Sequence, residues 1–263
     1  MGINDFDEAS ELPYTSDLVR LAASARLAVA ERETVEAILE GYREGLGAGA
    51  KPLVLAERND ALRRMAAGNL KDPEKFWKDL EKLKAVENVP PDAAEALAEA
   101  LPEKGLKYRV IHRSSGLGSL GRERYTAVAE WRGGQVAREA KALALPALYW
   151  ATERPGGEIA YPKLLGQKSR CPDPFVRVMG RWIVRRLSPD CSRIELASLT
   201  EARDERKLLK AMGRETANVH LGSARADALQ ADLIRRPEAW LHQAAKRMAE
   251  SVDEDFEDWR RGG

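Results

Sequence analysis

Apolar residues near the start of the chain recur every three or four positions. Leu18, Leu21, Ala22, Ala25 and Val29 fall on one helical face, and after a polar break Val35, Ile38, Leu39, Tyr42 and Leu46 repeat the pattern. Two helices are predicted. Thr15 or Ser16 caps the first, and the glycine-rich stretch 45–49 ends the second. Asp17 and Arg20 lie one turn apart, close enough on a helix to pair. Residues 57–101 are charged and Ala-rich, with breaks at 69–73 and 90–91, so three further amphipathic helices are expected there.

The pattern then changes from a helical period to alternation. Strands are predicted at 108–112 and 125–131, and a third starts at Gln135 after a Gly133-Gly134 hairpin turn. A loop region rich in Pro and Gly follows, and "RWIVRRLSP" and "SRIELASL" carry two more strand signals. From Glu201 onward the chain reads as helix again, ending in the charged "SVDEDFEDWRRGG". The expected fold is α+β, mostly helical with a small antiparallel sheet. Three regions are delimited: a helical region over residues 1–104 with an acidic opening, a β-rich small lobe over residues 105–200 with a glycine-rich loop, and a C-terminal helical region over residues 201–263.

Charge narrows the partners. Lys plus Arg number 43 against 42 Asp plus Glu, giving a net charge of +1, so no general attraction to nucleic acid or anionic membrane is expected. Cys171 and Cys191 are too few for a disulfide framework, and His112, His220 and His242 show no metal-ligand spacing. Residues 1–30 lack a signal-peptide pattern and no apolar run is long enough to span a bilayer, so the expected location is the cytoplasm with the thiols reduced.

Three segments carry candidate chemistry. Gly116, Gly118 and Gly121 satisfy G-x-G-x-x-G, with Ser119 at the tip. A dinucleotide fold needs a helix straight after these glycines, whereas here a strand follows; strand, glycine loop, strand is the arrangement that covers phosphates in protein kinases. The alternative is an ordinary hairpin loop. In "VAREAK", Arg138 and Lys141 are candidates for the third-strand cation that holds nucleotide phosphates, with period-two alternation turning Val136 and Arg138 toward the glycine loop and Glu139 free to pair with either base. In the acidic opening "NDFDE", Asp5 and Asp7 share one face of an extended segment, where a hard cation such as magnesium can bridge carboxylate and substrate phosphate oxygens; the alternative is a turn in which Asp caps a helix.

Other residues read as structural. His220 is expected to be a packed helical histidine, and Trp182, Trp240 and Trp259 to be packing residues. Arg185 and Arg186 place one guanidinium on each face of a strand, where a surface salt bridge is the expected role and contact with a phosphate or acidic substrate the alternative. Arg122 and Arg124, flanking the glycine loop, are the expected local anion attractors.

The motifs "GINDFDEA", "DLVRLAAS", "GLGSLG", "REAKA", "VRRLSP" and "ANVHLG", in this order, resemble a bacterial family of uncharacterised proteins, domain of unknown function 2252, over nearly the whole chain. That family in turn resembles kinase-like phosphotransferases of the aminoglycoside-phosphotransferase and choline-kinase sort. The resemblance implies a permuted two-lobe kinase-like fold, ATP and magnesium as cofactors, and a small-molecule or protein substrate. It also implies Asp5 as metal ligand with Asp7 beside it, and Asp17 bracing that segment from the following helix. The Gly-Asp-x-His-x-x-Asn loop that supplies the base in such enzymes occurs nowhere in the 263 residues, so no catalytic residue is assigned. Arg138 stands where the family usually shows Lys. The expected function is a nucleotide-binding, phosphotransferase-like protein, inactive as given if that loop is lacking; the alternative is a non-catalytic binding or scaffold protein.

Overall fold

In a computed structural model, the structure describes residues 6, 8–29, 33–113, 121–153, 157–167, 169, 171, 173–191, 194–199 and 201–262. Its helices and strands form a mixed α+β fold.

Helices α1 (Thr15–Val29) and α2 (Glu33–Ala48) follow the predicted apolar faces. Leu18, Ala22 and Ala25 of α1 and Val35, Ile38, Leu39, Tyr42 and Leu46 of α2 are buried in one core. The same core takes in Leu209 and Ala217 of α9 (Ala202–His220), Leu229 and Leu233 of α10 (Ala226–Arg235), and Leu241 and Ala245 of α11 (Trp240–Gly262). Segments far apart in sequence therefore close a single helical layer. Thr15 and Ser16 lie inside α1, whose first turn includes the Ser16 N–H bonded to the Pro13 carbonyl.

Gly45 does not stop α2. The helix runs on to Ala48, and Gly49, at φ +70°, supplies the left-handed residue that ends it. Gly41 and Gly45 instead face α9, with Gly213 opposite. A methyl at Gly41 would overlap the Lys210 carbonyl oxygen, and one at Gly213 the Ile38 carbonyl oxygen. The two helices thus meet backbone to backbone, which only glycine permits.

The breaks at 69–73 and 90–91 separate α4 (Asp60–Gly68), α5 (Pro73–Glu81) and α6 (Pro91–Ala100); a single turn, α3 (Leu55–Arg58), precedes them. Asp72 caps α5 by accepting from the Lys75 N–H, with Pro73 at the first helical position.

Five strands make one antiparallel sheet: β1 (Arg109–Ile111), β2 (Arg124–Trp131), β3 (Gly134–Ala142), β4 (Val176–Met179) and β5 (Trp182–Leu187), in the order β1-β2-β3-β5-β4. Arg132 (φ 50°) and Gly133 (φ 81°) form the two-residue β2–β3 turn, whose positive angles match the twist of the flanking strands. On one face α6 packs Ala93, Ala96 and Leu97 against Val110, Tyr125, Ala127, Ala140, Trp182 and Val184. On the other, Phe76 and Leu80 of α5 cover Ile111, Val128 and Ala137. Beside them Phe6, Leu143, Tyr161 and Ile183 form a further cluster, joined by Val219 of α9.

Two expectations fail. The segment 194–199 is not a strand: Leu196–Ser198 is a 3-10 turn. Ile194, Leu196 and Leu199 pack on Leu62, Met65 and Leu208, a spacing of two and then three that a turn satisfies and a strand does not. The loop region between β3 and β5 contains two short helices, α7 (Ala147–Ala151) and α8 (Tyr161–Leu165), and strand β4, which reaches β5 through a turn at Gly180 (φ 58°). Elements of four or five residues beside prolines carry too short a period to read.

Candidate functional site

Of the residues singled out in the sequence, Asp5, Asp7, Gly116, Gly118 and Ser119 lie outside the described residues. Their neighbours are placed. Phe6 is buried against Tyr161, ring edge to ring face at 5.6 Å, and the Ala9 N–H closes a turn onto the Phe6 carbonyl. Glu8 accepts from Arg122 Nη2 at 2.6 Å. Gly121, at φ +77°, precedes Arg122, so the acidic opening and the downstream end of the glycine-rich stretch are tied together.

The third-strand cations separate. Residues three apart on a strand point to opposite faces. Arg138 lies on the α6 face, where its Nε donates to the Ala100 carbonyl at 2.7 Å and its Nη1 to the Ala137 carbonyl at 2.9 Å. Lys141 lies on the opposite face with Glu139 and is itself buried. A single ligand on one face of the sheet meets only one of the two.

Glu139 organises the Lys141 face. Its carboxylate is fully buried and accepts from three arginines: Arg113 Nη1 at 3.2 Å, Arg124 Nη1 at 3.2 Å, and Arg185 through Nε at 3.0 Å and Nη2 at 2.7 Å. The ladder explains the convergence. Arg185 is the cross-strand partner of Glu139, while Arg124 pairs with Lys141 one step along the same face. Arg113 immediately precedes the glycine-rich stretch, so Glu139 anchors the upstream end of that stretch as Glu8 anchors its downstream end. Three guanidiniums thus converge on one carboxylate, with Lys141 on the same face. Beneath them the Nε of Arg124 and the Oγ1 of Thr126 are buried with no partner among the described residues. Arg113 and the Glu139 hub escape the sequence reading, because their signal is cross-strand register and not any local motif.

A second polar chain joins the helices. His220 Nε2 lies 3.0 Å from the Asp17 carboxylate and its Nδ1 2.8 Å from the Tyr42 hydroxyl. Asp17 therefore serves His220 across the bundle. The Tyr42 side chain is fully buried, and burial, then the nearby Tyr14 and Asp17, hold its hydroxyl well above the usual phenol range. A hydroxyl so enclosed meets no substrate, so this chain pins α1, α2 and α9 together. Next to it Tyr14 donates to Asp232 at 2.6 Å, and Arg236 donates to the same carboxylate at 2.7 Å. The Tyr14 and Arg236 bonds hold the Asp232 carboxyl below its ordinary range.

Among the described residues no three His, Cys, Asp or Glu side chains gather as metal ligands, and Cys171 and Cys191 form no disulfide. Two surface concavities, of about 460 and 430 Å³, are lined by residues such as Leu101 and Tyr108, and Met65 and Leu199; neither includes Glu139 or Lys141. No described helix is long and apolar enough to cross a membrane.

Residues 1–65 match the model of a family described as an uncharacterized protein conserved in bacteria, DUF2252. The match covers the acidic opening, α1 and α2 and stops well before the sheet, a shorter span than the motifs predict. Neither a curated protein nor a solved structure matches the chain.

Proposed function

We propose that the sheet face bearing Glu139 and Lys141 is a nucleotide polyphosphate site of the phosphotransferase kind. The observation that carries this reading is a convergence of basic side chains: Arg113, Arg124 and Arg185 gather on the buried Glu139 carboxylate, beside Lys141 and at the root of a glycine-rich β1–β2 connection. Guanidiniums and a lysine ammonium are suited to phosphate oxygens, and a glycine-rich turn lets backbone N–H groups approach them. Of the two third-strand cations, Lys141 has the right face. Magnesium would supply charge neutralisation between carboxylate and phosphate; Asp5 and Asp7, which precede Glu8 in the sequence, are the residues to hold it. The reading is one of binding: no residue of the chain is assigned as general base.

Thermal denaturation with ATP, with and without magnesium, tests it. Ligand at a hundred times its dissociation constant stabilises the folded state by about 2.7 kcal/mol. Lys141→Met is expected to reduce the shift at least tenfold in apparent affinity, and Asp5→Ala to remove only its magnesium-dependent component. A folded sample that shows no shift with millimolar ATP refutes the proposal and leaves a non-catalytic scaffold as the better reading.

A further inference from the structure

The α6 face of the sheet carries a second group of arginines with no neutralising partner. Arg138 of β3 stands directly across the ladder from Arg186 of β5, and Arg177 of β4 lies diagonal to Arg186 on the same face. Like charges placed directly opposite in a sheet destabilise it. The side-chain donors of Arg138 go to carbonyls, and neither Arg177 nor Arg186 makes an ion pair among the described residues. Burial, then Arg186 and Arg177, lowers the Arg138 pKa, as expected where cations crowd without an acid among them. The ring of Phe175, 42% exposed, sits under the Arg186 guanidinium at 4.4 Å and the Arg138 guanidinium at 5.8 Å.

A surface of opposite character ends the chain. The first half of α11 buries Leu241, Ala245 and Ala249, but from residue 251 to 262 the helix is exposed throughout. Its apolar spacing nonetheless continues through Val252, Phe256 and Trp259, the last 71% exposed and stacked on Phe256 at 5.9 Å. Arg260 and Arg261 engage Glu257 and Asp258, while Asp253, Glu254 and Asp255 make no ion pair among the described residues. At 100° per residue, Asp253 and Asp255 flank the apolar stripe on either side.

We propose that the exposed end of α11 in one copy docks on the exposed Arg177 and Arg186 of a second copy, beside Phe175 and above the buried Arg138. Asp253 and Asp255, on either side of the stripe, meet the exposed Arg177 and Arg186, and the Phe256–Trp259 stripe covers Phe175. Each copy carries one tail and one patch, so the contact is heterologous and closes only by reciprocal exchange or in a ring. It involves the face opposite Lys141 and stands independently of nucleotide binding.

Sedimentation velocity of the full chain tests this. At about 0.05 M salt the chain is expected to self-associate, and at about 0.5 M, where charges are screened, the association weakens at least tenfold. Arg186→Glu and Asp255→Arg, both at exposed positions, each weaken it at least tenfold with unchanged circular dichroism. The double variant, which restores opposite charge across the contact, recovers it. A chain that stays monomeric at low salt overturns the proposal. So does association that Trp259→Ala abolishes and Arg186→Glu leaves intact, since the tail would then dock elsewhere.

Discussion

Glu8 and Arg122 are 114 positions apart in sequence and 2.6 Å apart in space. The pair fastens the acidic opening to the strand-side end of the glycine-rich stretch, with Phe6 inserted beside Ile183 of β5 as its apolar counterpart. Glu8 is about half exposed, and ion pairs of that kind contribute at most about 1 kcal/mol. Arg122→Ala is therefore expected to leave the urea midpoint almost unmoved while loosening the opening locally. Amide exchange at Ala9, whose N–H bonds the Phe6 carbonyl, should accelerate severalfold. Unchanged exchange at Ala9 would show that Phe6 alone holds the segment.

Glu139 is the opposite case, a fully buried carboxylate that accepts from three guanidiniums. Removing one partner of a buried ion pair costs roughly 3–5 kcal/mol. Glu139→Ala should show a loss of that size in urea denaturation, with Glu139→Gln close behind because it keeps shape and loses charge. Arg185→Ala should cost much less, since Arg185 is partly exposed and two arginines remain on the carboxylate. Equal losses for Glu139→Gln and Arg185→Ala would mean that the site is held by packing and not by charge.

The helical portion of the fold was legible because its signals are local. The faces of α1 and α2, the proline breaks around α5 and α6 and the Gly133 hairpin all lie within windows of a few residues. What escaped depends on pairing at a distance. Arg185 lies opposite Glu139 only once β3 and β5 are adjacent, and that adjacency passes over the whole of β4. Likewise alternation in the sequence turns Arg138 toward the glycine loop and keeps Lys141 as an equal candidate, whereas the register sets Arg138 on the α6 face and Lys141 on the other, the face where Phe6 packs beside Ile183, residues with no polar signature.

Gly45 shows the same limit from the other side, since a glycine in a helix reads as a stop until the helix it touches is known. Gly213→Ala is expected to push α9 off α2, because the new methyl would meet the Ile38 carbonyl, a backbone group that cannot turn aside. A destabilisation of about 3 kcal/mol follows. Gly47→Ala, on α2 with nothing near its Cβ position, should instead stabilise by about 0.5–1 kcal/mol through the gain in helix propensity. Thermal or urea denaturation of the two variants distinguishes a contact glycine from an unconstrained one, and losses of similar size would remove the close-approach argument.

Alkaline pH provides an independent probe of the His220–Tyr42 link. Burial raises the Tyr42 pKa in the folded state above its ordinary value of 10.0. Below that value both states keep the phenol proton, so the full stabilisation is present. As pH rises beyond it the unfolded chain releases the proton while the folded chain retains it, and stability falls continuously until the folded pKa is reached. Tyr14 and Tyr125 are raised in the same direction and add to the slope. Tyr42→Phe removes the hydroxyl bonded to His220 Nδ1, costing about 1 kcal/mol at neutral pH. The same variant should lose stability less steeply above pH 10 than the parent, so the two urea midpoints converge as pH rises. Parallel curves from neutral to alkaline pH would show that Tyr42 titrates as freely in the fold as in the open chain, and that its hydroxyl is not enclosed by α1, α2 and α9.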